Sequence, residues 1–530
     1  MAGKKLTSRL GIGIFLKINT VLILGAFLLF YGTLSDAKEK PGRFFKTIIG
    51  QAEQLAQEPF QDPLGHKLPP SLDTMGYNQW RDIRFKPEAA LWKDSETPFQ
   101  IQFFHMGFLF KWPVKVNIID HKRIQAVPFS PQLFHYDKSE IQEEDLQGLS
   151  FSGFRVHYPL NKPDYWDEVV SFLGASYFRG LPKDLVYGIS ARGLAVDTGL
   201  PSGEEFPYFK EFWIKRPPKG KDTLVIYGLL DSPSVTGAYQ FTLQPGSETN
   251  ITVHCVLFAR HSIEKLCLAP LTSMYYFGEN QSQPDRKDFR PEVHDSDGLL
   301  IQTESGEWTW RPFINPKRLH IDTFNADNAC GFAVLQRDTN FDHYQDLETR
   351  SDLRPSVWVQ PLNKWGKGHV ELLQIPTTNE YNDNINAFWV PAQPLKDGER
   401  AEYEYVLRWF KASPSWPPVG HVTDTRIVQD KDNDEIMFLL EFNDGELPSL
   451  PDDAGLTAQI DVTGEYDLLN YQIIKNKATQ GWRLVFRLHR GQRDPLKDMI
   501  PSQRPTLNLR AVLMKGTSPV SETWDYSFLP

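Results

Sequence analysis

The sequence predicts an all-β protein in which a large β-sandwich domain is followed by a small immunoglobulin-like β-sandwich domain. Three alternating apolar and polar runs follow one another at residues 223–230, 237–243 and 250–259, as expected for consecutive strands. Turn-forming residues rich in Pro, Gly and Ser separate them. Since no long helical pattern lies between these strands, a sandwich is favoured over alternating βα units.

The N-terminus has the pattern of an export signal over residues 1–37. Lys4, Lys5 and Arg9 precede an uncharged apolar run at residues 21–34, and small residues follow it. The alternative is an uncleaved inner-membrane anchor, because residues 10–34 are numerous enough to span a bilayer. Both alternatives predict that the rest of the chain lies outside the cytoplasm.

Two stretches favour helix within the large domain, which is predicted to cover residues 41–411. Residues 41–58 place their apolar side chains on one helical face, and residues 164–173 begin with Asp164 at a natural N-cap position.

The domain boundary is predicted at residues 412–420. A closing strand at residues 402–410 precedes this segment, whose prolines cannot donate to a β-ladder. Residues 421–530 then have the size and the spacing of short strands that are typical of an immunoglobulin-like sandwich. Its expected strands include residues 436–442, 481–488 and 506–514.

Composition limits the classes of partner. A net charge of −10 and a pI near 5.8 argue against nucleic acid, which is bound through a basic surface. The 14 tryptophans suit either a β-rich core or a sugar-binding cleft. Cys255, Cys267 and Cys330 are odd in number, and whether Cys255 pairs with Cys267 stays open. Their spacing matches no metal motif, so no metal and no cofactor are expected.

Two carboxylate-bearing turns are candidates for acid and base chemistry on a glycosidic bond. Asp295 and Asp297 lie just before an apolar strand, and Glu380 and Asp383 lie among asparagines before another strand. In both places the alternative is a solvated polar turn whose side chains cap backbone amides.

Four long segments resemble one protein family. They are residues 77–92, 98–110, 177–214 and 354–361, and they crowd aromatic residues, glycines, arginines and carboxylates together. In this order they are similar to the bacterial periplasmic glucan biosynthesis family. The resemblance implies a periplasmic protein with the two sandwich domains described above, and linear β-1,2-glucan as its partner. It leaves open a second partner, the membrane glucosyltransferase that makes this glucan.

The resemblance also implies roles for two aspartates. Relatives that hydrolyse β-1,2-glucan with inversion use the equivalent of Asp383 as general acid. The equivalent of Asp295 acts as base through a chain of waters and substrate hydroxyls. The sequence departs from the family near Ser351, where a tyrosine of the relay region is expected. We therefore expect slower proton transfer to the base, with sugar binding retained.

Eleven further residues are expected to contact the sugar chain, because charged groups bind hydroxyls and aromatic rings stack on sugar faces. They are Arg81, Asp82, Arg84, Tyr177, Arg179, Arg192, Glu204, Glu205, Trp358, Glu380 and Trp389. Arg81, Asp82 and Arg84 alternate as if in a strand. The alternatives are structural ion pairs for the arginines, core packing for the tryptophans and turn capping for Glu204 and Glu205.

Three hypotheses of function follow from the sequence. The protein is an endo-β-1,2-glucanase, or a transglycosylase, with Asp383 and Asp295 as acid and base. Alternatively, it is a non-catalytic escort that holds the nascent glucan in the same cleft. In the third hypothesis the small domain docks on the membrane synthase.

Overall fold

The computed structural model describes residues 42–63, 68–137, 141–281, 287–413, 416–430, 433–491 and 506–529. The predicted leader at residues 1–37 lies outside this part. Within the described residues, none of the helices combines the length and apolarity needed to cross a bilayer. The chain forms two compact units, Met1–Lys46 and Thr47–Pro530. The described part of the first unit, residues 42–46, contains the start of a helix.

Helices are few and short in the described residues. The α-helices are α1 (Arg43–Ala56), α2 (Pro70–Asp73), α3 (Tyr77–Asp82) and α4 (Phe341–Tyr344). Single 3₁₀ turns occupy Pro87–Ala89, Pro131–Leu133, Glu143–Leu146, Ser351–Leu353 and Leu447–Ser449.

Strands make up most of the regular secondary structure of the described residues, which confirms the all-β class. They are β1 (Arg84–Phe85), β2 (Gln100–His105), β3 (Lys115–Asp120), β4 (Arg123–Ala126), β5 (Phe134–His135), β6 (Phe151–Lys162), β7 (Tyr165–Leu173), β8 (Tyr177–Gly180), β9 (Ser190–Arg192), β10 (Leu194–Val196), β11 (Tyr208–Lys215), β12 (Leu224–Asp231), β13 (Val235–Gln244), β14 (Thr249–Ala259), β15 (Leu266–Ser273), β16 (Tyr275–Phe277), β17 (Val293–His294), β18 (Gly298–Gln302), β19 (Trp308–Pro312), β20 (His320–Ala326), β21 (Gly331–Leu335), β22 (Ser356–Pro361), β23 (Gly368–Gln374), β24 (Ile385–Pro391), β25 (Arg400–Phe410), β26 (His421–Asp430), β27 (Glu435–Asn443), β28 (Leu456–Thr463), β29 (Tyr466–Lys475), β30 (Trp482–Arg490), β31 (Leu507–Lys515), β32 (Ser518–Pro519) and β33 (Thr523–Phe528).

Two large sheets form the main sandwich. One has ten strands, in the order β2-β6-β7-β8-β9-β15-β24-β23-β20 with β10 also on β15. The other has fifteen strands and includes β18-β21-β22-β25-β14-β13-β12-β11-β3. Buried phenylalanines join the two sheets: Phe172 of the first lies 5.2 Å from Phe212 and 5.1 Å from Phe241 of the second, measured between ring centroids. These contacts make the interior of the sandwich one aromatic core.

The fifteen-stranded sheet continues into the C-terminal part of the chain. Strand β33 pairs in parallel with β19, with Trp524 opposite Trp310, and β31 and β28 extend the sheet beyond β33. A second core contains Trp310 and Trp524 together with Phe438 and Phe486 of the separate sheet β26-β27-β30-β29. The boundary predicted at residues 412–420 stays a prediction, and residues after it share both a sheet and a core with earlier strands.

Most predicted elements are confirmed. Helix α1 lies within residues 41–58, and β12, β13 and β14 form the predicted antiparallel series. The expected strands at residues 402–410, 436–442, 481–488 and 506–514 correspond to β25, β27, β30 and β31.

The helix predicted at residues 164–173 is wrong. This segment is strand β7, paired with β6 and β8. Asp164 and Pro163 form the two-residue turn of the β6–β7 hairpin, where Lys162 pairs with Tyr165. The β-branched and aromatic residues after the turn fit a half-buried sheet surface better than a helix.

The strand-like interpretation of Arg81, Asp82 and Arg84 is also wrong for its first two members. Arg81 and Asp82 end helix α3, and only Arg84 lies in a strand. The cysteines are free. Cys255 lies on β14 of the larger sheet and Cys267 on β15 of the other sheet.

Packing around Trp358 generates a stability prediction. A Cβ atom added at Gly331 would lie 2.0 Å from Cζ2 of this ring, so Gly331→Ala must displace a buried tryptophan. We expect a loss of about 1–3 kcal/mol in the free energy of unfolding, measured by urea denaturation. The control is Gly50→Ala on the exposed face of α1, where no atom lies within 4 Å of the added Cβ. The control is expected to stabilise by about 0.5–1 kcal/mol. Equal effects in both variants would contradict the prediction.

Candidate active site

The two predicted catalytic aspartates lie on segments that flank the same short stretch of chain, residues 273–275. The first residue of this stretch pairs with Ile385, two positions after Asp383. The last pairs with His294, which immediately precedes Asp295. The same short stretch of chain therefore holds both segments, one through each of its ends.

Side-chain and backbone hydrogen bonds hold both segments to this stretch. The amide of Asn384 accepts from the backbone N of Tyr275 at 2.8 Å and donates to its carbonyl oxygen at 2.9 Å. The backbone N of Asp295 donates to the carbonyl of Met274 at 2.8 Å. Since Asn384 is buried, these bonds also satisfy polar atoms that water cannot reach.

Asp295 is held by an arginine. Nη1 of Arg354 donates to Oδ2 of Asp295 and to the carbonyl oxygen of Tyr187, each at 2.8 Å. Oδ1 of Asp295 is buried and has no hydrogen-bond partner in the described structure. Burial raises the pKa of Asp295 to about 6, although the charge of Arg354 acts in the opposite direction; the charge of Asp383 raises this pKa further.

Asp383 has a different environment. Its side chain is open to solvent, yet surrounding protein displaces enough water for desolvation to raise its pKa. The positive charges of Arg179 and Arg354 partly offset this effect. Among the described residues, no hydrogen bond or ion pair engages its carboxyl group. The carboxyl group is therefore accessible to a ligand.

Asp297, the other acid of the same turn, has a structural role. Its Oδ2 accepts from the backbone N atoms of Arg337 and Asp338, each at 2.9 Å. Nearby, burial lowers the pKa of His294, but the hydrogen bond and charge of Glu292 outweigh this and raise it to about 9. A protonated His294 places a buried positive charge behind the turn.

A pocket of 220 Å³ adjoins the aspartates. It is lined mainly by aromatic rings and small or charged polar groups: Tyr77, Trp80, Phe104, Glu168, Ser171, Leu173, Tyr177, Phe178, Arg179, Tyr187 and Ser190. Arg179 connects the pocket to the acids, because its charge lowers the pKa of both Asp295 and Asp383. Ring faces beside hydroxyls and charges are suited to binding a sugar.

Comparison with known proteins identifies the family. The chain matches the model for "Periplasmic glucan biosynthesis protein, MdoG" over residues 44–528. It is 44% identical to "Glucans biosynthesis protein G" of Ralstonia nicotianae over 494 residues, which are 91% of this chain and 95% of that protein. The chain belongs to the periplasmic glucan biosynthesis family. The family name implies a periplasmic protein of glucan biosynthesis.

Of the sugar contacts expected in this family member, Tyr177 and Arg179 lie in the pocket beside the aspartates. Arg81 lies at the rim, 5.9 Å above the ring of Tyr77. Asp82 is half-buried at the end of α3. Arg84 is exposed and forms an ion pair of 2.7 Å with Asp137.

Arg192 and Glu204 contact each other inside the protein. The guanidinium of Arg192 is buried between the rings of Tyr177 and Phe206, each 4.9 Å away, and Nη1 donates to Glu204. This places Arg192 behind Tyr177, so its side chain is positioned to support that ring.

Glu205 and Glu380 are engaged in loop contacts. Glu205 accepts from the backbone N and the hydroxyl of Ser234, which matches the turn-capping alternative. Glu380 forms an ion pair of 2.7 Å with Arg290, which also pairs with Asp346 at 2.8 Å. Arg290 thereby joins the loop of Asp383 to a second loop.

The structure does not offer Trp358 and Trp389 as stacking faces, which corrects the expectation for these two residues. Trp389 is fully buried and Trp358 almost so. Trp358 packs against Trp308 and Trp416 in the second core. Inward-facing strand positions bury large rings, so both residues stabilise the sandwich.

Several site residues were missing from the set predicted by sequence. Arg354, Trp80, Phe104, Tyr187 and Glu168 surround the aspartates or the pocket. Four of them, all except Glu168, lie inside the family segments quoted above. No residue pattern distinguished them from core residues, because their role depends on contacts between segments that are distant along the chain.

Two groups of His and carboxylate side chains have donor atoms within 4.8 Å of one another in the described residues. They are His254, Glu402 and Glu404, and Glu292, Asp338 and His343. Hydrogen bonds already join His254 to Glu402 and His343 to Asp338. Neither group includes the two candidate catalytic aspartates.

The raised pKa of Asp295 predicts a dependence of stability on pH. Between about pH 4 and 6 the folded protein holds this proton more tightly than the unfolded chain. The stabilisation that this bound proton gives the folded state is therefore present at low pH and is lost as the pH rises to 6. We expect the free energy of unfolding of the wild type, relative to Asp295→Asn, to fall by about 2–3 kcal/mol over this range and to stay level above it. Urea denaturation at several pH values measures this, with Asp461→Asn on the exposed face of β28 as control. A constant difference across the range would contradict the burial argument.

Proposed function

We propose that this protein binds linear β-1,2-glucan along the aromatic pocket and cleaves the chain at Asp295 and Asp383 with inversion. The observation that carries the proposal is two aspartates with raised pKa values beside that pocket. The family membership and the name of the relative support a glucan as the ligand.

The environments of the two aspartates favour different roles. The contact with Arg354 favours the carboxylate form of Asp295, which suits a base that receives a proton through water and substrate hydroxyls. Asp383 is solvent-accessible and has a raised pKa, which suits an acid that protonates the leaving oxygen. Inversion requires room between the two carboxyl groups for an attacking water, and in the described residues no direct contact joins Asp295 to Asp383. Transfer to another sugar chain instead of water would make the same site a transglycosylase.

A non-catalytic escort is the second candidate, and one observation favours it. Ser351 occupies the region where the family pattern has a relay tyrosine, and it is almost fully buried in a 3₁₀ turn. Its carbonyl oxygen accepts from Gln336. A buried short hydroxyl is poorly suited to transfer a proton toward Asp295, so glucan would be held and cleaved slowly or not at all.

Asp383→Asn distinguishes these candidates. Loss of the acid is expected to lower glucan shortening by about 10²–10⁴-fold, while calorimetry should show retained binding. Chain length after incubation with linear β-1,2-glucan is measured by chromatography. The matched control is Asp342→Asn, an exposed acid on α4, which should shorten glucan like the wild type. Wild-type shortening by Asp383→Asn would remove Asp383 from the acid role. Binding without shortening by either form would support the escort.

Docking on the membrane glucosyltransferase is a further proposal for the C-terminal part. Strand β29 lies at the edge of its sheet and exposes Leu468, Leu469, Tyr471 and Ile474. Exposed apolar side chains on an edge strand are suited to a protein contact.

Leu469→Asp tests docking more specifically than truncation does, because a truncation that removes β33 would uncover the core around Trp310. We expect lower glucan output in cells and unchanged glucan binding by the purified variant. Thr457→Asp on neighbouring exposed strand β28 is the control. Unchanged output with Leu469→Asp would exclude this surface.

A further inference from the structure

A second cleft lies on another part of the protein. Its cavity of 480 Å³ is bordered by strand β20 on one side and by β31 and β33 on the other. We call it the β20 groove; Thr323, Asn325, Cys330, Trp389, Asn508 and Ser527 are among its lining residues. It is larger than the pocket beside the aspartates and lies within the range typical of ligand sites.

The β20 groove is separate from the proposed catalytic site. Strand β24 leads from the aspartate loop at Ile385 to Trp389 in the groove, four residues or about 13 Å along the strand. Strand β18 likewise leads from the turn of Asp295 to Gln302 in the groove. The two sites therefore lie toward opposite ends of the same two strands.

The charged side chains of the groove pair with one another and leave one negative charge in excess. Arg311 pairs with Asp322 and Asp525, and Arg510 pairs with Glu307 and, at 3.9 Å, with Asp525. Three carboxylates and two guanidiniums thus form one connected network with no unpaired member. Such a network offers hydrogen bonds, and its excess negative charge disfavours a phosphate, so a polar ligand without negative charge fits the groove better.

One buried donor in the groove has no acceptor in the described structure. It is Nε1 of Trp389, a fully buried residue. Buried donors are costly when unpaired. Trp389 lines the groove, so a small shift of the groove wall would let a hydroxyl or water oxygen accept from this donor.

The wall formed by β20 supplies further hydrogen-bonding groups. Among the described strands, β20 pairs with β23 alone, so no described strand covers the backbone groups on its other edge, which borders the groove. Thr323 and Asn325 are exposed on the same face of the strand, and Phe324 adds a ring. Backbone groups, amides, hydroxyls and a ring together match the surface of a polyhydroxylated ring compound.

We propose that the β20 groove is a second, non-catalytic saccharide site that binds a neutral oligosaccharide. That this oligosaccharide is β-1,2-glucan rests on the function proposed above; the preference for a neutral sugar rests on the groove itself. A second site would hold a distant stretch of the same chain and raise its local concentration at the aspartates.

Cys330 provides a direct reporter. It is the partly exposed cysteine of the three and lines the groove, whereas Cys255 and Cys267 are buried. The full-length Asp383→Asn protein, which preserves the added glucan, is treated with N-ethylmaleimide, and modification of Cys330 is followed by mass spectrometry. Linear β-1,2-glucan oligosaccharide at ten times its dissociation constant should slow this modification about tenfold. Maltohexaose and glycerol are compared at equal hydroxyl concentration.

Two surface variants show whether the protection of Cys330 arises from ligand bound in the β20 groove. Thr323→Ala combined with Asn325→Ala should abolish it, and Thr457→Ala, on the exposed face of edge strand β28, should retain it. Protection by glycerol alone as strong as by glucan, or protection that survives the double variant, would overturn the proposal. The proposal would also be overturned if Cys330 were not protected at glucan concentrations that calorimetry shows to saturate the protein. Protection by maltohexaose without protection by β-1,2-glucan would keep the saccharide site and reject its assignment to that glucan. None of these experiments depends on cleavage of the glucan. Their outcome is therefore independent of whether the protein is a hydrolase.

Discussion

The hydrogen bonds between the Asn384 amide and the backbone of Tyr275 are the constraint on which the candidate active site depends. They attach the loop of Asp383 to the same stretch of chain that binds the backbone of Asp295. Because both bonds are buried, breaking them would leave polar groups unpaired in the interior, which costs more than losing an exposed contact. The two acids therefore keep their separation through the interior of the sandwich and need no direct contact with each other.

The chemistry of the site arises from a balance between burial and positive charge. Burial raises the pKa values of Asp295 and Asp383, and Arg354 and Arg179 limit that rise. Without the arginines the pKa values of both carboxyls would be higher still, and without burial neither pKa would be raised by desolvation. Arg354 also binds the carbonyl of Tyr187, so the residue that sets the charge balance also connects the aspartates to the aromatic pocket.

Aromatic residues show where prediction from sequence reached its limit. Trp389 and Trp358 were expected to stack on sugar, yet both belong to cores, while Trp80 lines the pocket. The same ring serves either purpose, and its place in the tertiary structure, in a core or at the wall of a pocket, decides between them. Residues 164–173 were assigned to a helix from one N-cap residue, but pairing of β7 with strands on both sides outweighed that local preference.

The sequence by itself determined the all-β class, most strands, helix α1 and the family, because alternation, turn residues and long motifs are short-range properties that a linear pattern records. It also contained both aspartates and the segment with Arg354. Only the tertiary structure decided that these residues meet, that Arg192 and Glu380 form internal contacts, and that the last strands complete a sheet begun before residue 412. These outcomes depend on contacts between residues distant along the chain, and such contacts are chosen by packing of whole sheets.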